Sequence, residues 1–90
     1  MTEREKLISM GEKIISNFQE KLNQGGELVT WRKEALLSCE ILLSYLKASP
    51  IDVEKTIFLA NVFRERYEIS KPPVIPHWCR IISEYLLSHQ

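Results

Sequence analysis

The most reactive side chains in this sequence are two thiols and two imidazoles, those of Cys39, Cys79, His77 and His89. A structural zinc site needs four protein ligands, and His89 follows His77 by twelve residues, too far along a helix to share one site. A Cys-His nucleophile needs an activated thiolate and a third group that orients the base, and no motif supplies either. The sequence therefore predicts no metal, no cofactor, no small-molecule ligand and no enzymatic activity.

The paired carboxylates have a structural explanation. Glu3 with Glu5, and Asp52 with Glu54, fall in the first turns of predicted helices, where the helix dipole stabilises negative charge. Both cysteines lie inside apolar helical patterns, where a free thiol behaves as a small hydrophobic side chain. The carboxylates are therefore predicted to stabilise helix N-termini, and the thiols to fill the core.

The charges of the chain are balanced and mixed. Twelve Lys and Arg match twelve Asp and Glu, for a formal net charge of zero. Such a chain has no field that attracts phosphate backbones or anionic lipid over a distance, so nucleic acid and membranes are disfavoured as partners. A small basic patch, interleaved with glutamates, comprises Arg64, Arg66, Lys71 and Arg80. It keeps open the alternative of a small dimeric DNA- or RNA-associated regulator.

The N-terminal residues lack the pattern of a signal peptide, and no stretch approaches the roughly eighteen apolar residues that cross a membrane. We therefore expect a soluble cytoplasmic protein. Ninety residues suffice for one domain.

The apolar residues repeat with the period of an α-helix in four segments. They predict an all-α, compact bundle of four helices over residues 3–23, 28–48, 50–68 and 77–88. Thr2 with Glu5, Ser49-Pro50 and Pro76 are the predicted start signals. Gly25-Gly26 and the Pro-rich segment 70–76 are the predicted breaks. The second break is expected to be a stiff, extended connector between helices three and four.

Each helix has an apolar face that predicts how it packs. Helices one and four are one-sided. Gly11 lies within the apolar arc of helix one, where a missing side chain would let another helix approach closely. Leu42 occupies the centre of the widest apolar arc and is predicted to be among the most buried residues, whereas Glu40 lies on the opposite strip.

Helices two and three carry a second apolar strip that a simple bundle does not require. The strip of helix two contains Leu37, Ile41 and Tyr45, and that of helix three contains Ile51, Phe58 and Val62. The helix-three strip is bordered by Glu54, Asn61 and Glu65 on one side and by Lys55 and Arg66 on the other. Either these two helices are flanked on both sides within the monomer, or the strips contact another chain.

These patterns predict a non-enzymatic protein-protein interaction module: an adaptor, chaperone-like subunit or inhibitor that occupies a partner's surface with an apolar helix face. The expected partner is another protein, or a second copy of the chain in a two-fold homodimer. The predicted partner-binding residues are Leu37, Ile41, Tyr45, Ile51, Phe58, Val62 and Arg66.

Overall fold

Four helices make up the fold in the computed structural model, which describes residues 2–69 and 73–89. They are α1 (Glu3–Gln24), α2 (Val29–Lys47), α3 (Val53–Arg66) and α4 (Val74–Ser88). Within the described ranges there is no strand, and the predicted all-α bundle is confirmed. The helix bounds lie within two residues of the predicted ones except at the starts of α3 and α4.

The N-terminal cap of α1 is the predicted one. The Thr2 hydroxyl accepts a hydrogen bond from the Glu5 backbone N–H at 3.1 Å, and the Glu5 carboxylate accepts one from the Thr2 N–H at 3.3 Å. This reciprocal pair satisfies two N–H groups that the helix itself leaves without partners.

The start of α3 differs from the prediction of a helix from Pro50 with Ser49 as its cap. The helix begins three residues later, at Val53. Asp52 caps it, since its carboxylate accepts from the Lys55 backbone N–H at 3.1 Å. Serine and aspartate are about equally good caps, so sequence alone did not decide between them.

The start of α4 corrects the prediction of an extended connector reaching Pro76. The helix begins at Val74, and the His77 N–H already donates to the Pro73 carbonyl at 3.2 Å. Pro76 fits in this first turn because the N–H that proline lacks would have no partner within the helix there. The rest of the predicted connector, residues 70–72, lies outside the described residues.

Helices α1 and α2 run antiparallel, as bonds between their ends show. The Arg4 side chain at the start of α1 donates to the Leu46 and Ala48 carbonyls at the end of α2, at 2.9 and 2.7 Å. The Ser38 and Tyr67 hydroxyls, 2.8 Å apart, join the middle of α2 to the residue after α3. The most extensive packing is of α1 on α2 and of α3 on α4. The bundle therefore consists of two helical hairpins placed side by side.

The core also contains polar side chains whose hydroxyls have partners within the chain. Ser38 is buried, and its hydroxyl pairs with that of Tyr67. Thr56 is fully buried, and its hydroxyl donates to the Asp52 carbonyl at 2.6 Å. In contrast, the apolar Leu28, the residue just before α2, is exposed.

The two hairpins are joined through Trp78 on α4 and Gly11 on α1. The Trp78 indole N–H donates to the Leu7 carbonyl at 2.8 Å, and the ring is fully buried. A Cβ at Gly11 would lie 2.9 Å from Trp78 Cη2 and 3.1 Å from Leu43 Cδ1, and closer still to Trp78 Cζ2. The predicted close approach at Gly11 is thus confirmed. Glycine is required here because the indole occupies the space of a side chain.

We expect Gly11→Ala to destabilise the protein although alanine is the better helix former. The gain of about 0.5–1 kcal/mol from helix propensity is outweighed by overpacking against Trp78, which costs about 1–3 kcal/mol. Urea unfolding measures the difference, with the exposed Ser16→Ala in the same helix as control. Equal or greater stability of Gly11→Ala would show that the indole does not need this space.

Leu42→Ala should lower the free energy of unfolding by about 2–5 kcal/mol through lost apolar burial and a residual cavity. Leu42 is 0% exposed, as predicted. Glu40→Ala, on the exposed side of α2, should change it by less than about 1 kcal/mol. Similar costs for both substitutions in urea would contradict the assignment of the two faces.

Candidate functional site

The two thiols are enclosed in the core and are not activated. Cys39 and Cys79 are both free and buried. Burial raises the pKa of the Cys39 thiol from its ordinary value of 9.0 to about 12, and nearby Cys79 and Glu40 add to the rise. Burial also raises the pKa of Cys79 to about 12, although the positive charge of Arg64 opposes it. A nucleophilic thiol needs the opposite shift.

The histidines lie on the surface. His77 is exposed, and its Nδ1 lies 3.2 Å from the Arg80 guanidinium. His89 is exposed at the end of α4, where its Nδ1 lies 2.8 Å from the Tyr85 carbonyl oxygen. Among residues 2–69 and 73–89, no group of three or more His, Cys, Asp or Glu side chains is placed to hold a metal ion.

A cleft of about 550 Å³ lies between α3 and α4. It is lined by Arg64, Glu65, Glu68, Pro73, Pro76, His77 and Arg80. The structure thus brings together Arg64 and Arg80 of the predicted basic patch, while Arg66 is not among the lining residues. His77 was not predicted to join them, and the helical course of residues 74–77 places it there. Since two glutamates line the same cleft, its charge is mixed.

The exposure of the second apolar strip of helix two decreases from its first residue to its last. Leu37 is 59% exposed and Ile41 38% exposed, whereas Tyr45 is half-buried. At about 100° per residue, Tyr45 lies nearest to Ser38, the residue that bonds to Tyr67 after α3. The strip therefore begins beside α3 and turns outward to Leu37, where no described residue covers it.

The second apolar strip of helix three faces outward. Phe58 is 64% exposed and Val62, one turn later, is 38% exposed. Ile51 is half-buried against the core and precedes α3, so its own chain covers part of it. A shallow depression beside the phenyl ring is lined by Asp52, Glu54, Lys55 and Phe58.

Charged side chains border this face in an ordered way. Glu54, Lys55, Glu65 and Arg66 are all exposed. At about 100° per residue, the two glutamates lie on the flank nearer α4, and Lys55 and Arg66 lie on the flank nearer α2. The face of α3 therefore has an apolar centre, an acidic edge and a basic edge.

The buried thiols predict how stability depends on pH. Above about pH 9 the unfolded thiols lose their protons while the folded ones keep them, so stability falls as the pH rises. Between about pH 8 and pH 10 each thiol should lower the free energy of unfolding by about 1.4 kcal/mol. Urea unfolding at both pH values, with Cys39→Ala beside the wild type, measures this. An unchanged pH dependence in Cys39→Ala would contradict the raised pKa.

Within the part of the chain that the structure describes, no helix is both long and apolar enough to cross a lipid bilayer. Comparison with known protein families, with curated proteins and with solved structures finds no match to this chain.

Proposed function

We propose that this protein is a non-enzymatic protein-interaction module, an adaptor, chaperone-like subunit or inhibitor, that binds its partner through the outer faces of α2 and α3. The observation that carries the proposal is the exposure of Phe58 and Val62, one turn apart, on the helix next to the one that exposes Leu37 and Ile41. Single exposed apolar residues are ordinary on protein surfaces. Pairs at helical spacing on two adjacent helices are typical of a binding surface.

Phe58 is the strongest candidate for an anchor. No described residue of the chain covers its ring, which is largely exposed. Only another molecule could therefore bury it. Aromatic side chains in the desolvated centre of an interface contribute much of its affinity. The charges at the edges of the face, including Arg66, would mainly affect orientation and association rate.

The alternative of a small dimeric DNA- or RNA-associated regulator has less support. Arg64 and Arg80 meet in one cleft, but Glu65 and Glu68 line it too. Phosphate contacts need an excess of positive charge and weaken steeply with salt. Binding that survives high salt would favour a protein partner. We also propose that the protein acts in the cytoplasm, as expected from the sequence.

Phe58→Ala should weaken binding to the protein partner by roughly thirty- to a thousandfold, the effect of removing an aromatic anchor worth about 2–4 kcal/mol. The test captures partners from the source organism with the wild type and the variant, identifies them by mass spectrometry and titrates the dominant one.

Leu87→Ala is the matched control, because Leu87 is a similarly exposed apolar residue, at 60%, on α4. It should bind like the wild type. If Phe58→Ala and a Leu37→Ala, Ile41→Ala double variant both bind as tightly as this control, the proposed surface is wrong.

A further inference from the structure

We propose that the outer face of α3 binds the same face of a second copy of the chain, with the two α3 helices parallel about a two-fold axis. This inference rests on the proposed function and names its partner. The face comprises Glu54, Lys55, Phe58, Val62, Glu65 and Arg66, and is called the α3 face below. All six residues are exposed.

Charges are arranged in the same order at the two ends of the apolar pair formed by Phe58 and Val62. Glu54 and Lys55 lie about one turn before Phe58, and Glu65 and Arg66 lie about one turn after Val62. At each end the acid lies on the flank nearer α4 and the base on the flank nearer α2. Among the described residues, none of these four charges forms an ion pair within the chain. They are therefore available to another molecule.

These charges complement those of a second, symmetry-related copy of the α3 face. When two identical helices pack in parallel about a two-fold axis along their length, the acidic edge of one faces the basic edge of the other at the same height. Glu54 then faces Lys55 of the second copy, and Glu65 faces Arg66 of the second copy. The two-fold axis repeats each pair, so four attractive pairs surround the apolar centre. A two-fold interface must be self-complementary in this way.

The antiparallel arrangement is disfavoured by the same charges. In an antiparallel pair the two-fold axis is perpendicular to the helices. The acidic edge of one copy then faces the acidic edge of the other, and the basic edges likewise face each other. Glu54 would then face Glu65 of the second copy, and Lys55 would face Arg66. Like charges opposed across an interface select against that arrangement. The charge pattern of the α3 face therefore fits a second copy in one orientation.

The apolar centre of the α3 face is covered by the same residues of the second copy. In the parallel arrangement Phe58 packs against Phe58 of the second copy and Val62 against Val62. The 14 residues of α3 span about 21 Å, so the contact falls at the small end of specific interfaces, where association is weak and reversible. We expect a dimer that dissociates in the micromolar range.

The test is sedimentation equilibrium of the purified full chain over about 1–200 µM, a range that brackets micromolar dissociation. The wild type should dimerise, and Phe58→Glu should be monomeric with an unchanged helical circular dichroism spectrum. Leu87→Glu, which changes a similarly exposed residue outside the face, should dimerise like the wild type.

Charge reversals test the orientation. Glu54→Lys alone and Lys55→Glu alone each replace attraction by repulsion in a parallel dimer, and should weaken it roughly tenfold or more. Mixing these two single variants should restore association, because every facing pair is then opposite in sign. In an antiparallel dimer Lys55→Glu would strengthen association, because the new carboxylate would face Arg66.

Each outcome has one meaning. A wild type that stays monomeric over this range, or a dimer that Phe58→Glu leaves intact, overturns the homodimer through the α3 face. A dimer that Lys55→Glu strengthens overturns its parallel orientation. A monomeric wild type whose heterologous partner is lost on Phe58→Ala overturns this inference alone. The proposed function fails instead if neither a second copy nor another protein binds either exposed strip.

Discussion

The contact between Trp78 and the backbone of α1 is the constraint on which the rest of the bundle depends. The indole N–H bonds to the Leu7 carbonyl, and the ring fills the space above Gly11. It joins the hairpin of α1 and α2 to that of α3 and α4. The packing between the two hairpins is less extensive than the packing within each of them. A buried N–H without a partner would be costly, so this bond fixes the height of α4 along α1.

A second junction, built from rings, lies where Tyr67 follows α3. Tyr67 bonds to Ser38, its ring lies 5.7 Å from that of Trp31, and Trp31 lies 6.0 Å from Phe18. The row of aromatic rings thus spans α1, α2 and the end of α3. With Trp78 and Tyr67 both used inside, neither is available to a partner. The aromatic residue of α3 that remains for outward contact is Phe58.

The separation of inner from outer residues also bears on function. The groups with nucleophilic chemistry, Cys39 and Cys79, are held inside, and burial raises their pKa values. The surface of α3 instead has an apolar centre between an acidic and a basic edge. In the protein recognition proposed above, such a surface would supply affinity by burial and orientation by charge.

The sequence by itself determined the four helices, the cap at Thr2 and the burial of Leu42, because each follows from local signals or from the helical period. It left open whether Leu37, Ile41, Phe58 and Val62 are covered within the monomer, and the tertiary structure leaves them exposed. Tertiary structure decided what depends on partners distant in the chain. The buried Ser38 hydroxyl finds its partner in Tyr67, 29 residues later, and Gly11 is needed because Trp78 packs on it. The start of α4 at Val74 could not be predicted from local sequence either, because proline is compatible both with the first turn of a helix and with an extended chain. The helical alternative is the one in which Ile75 and Trp78 are buried in the core.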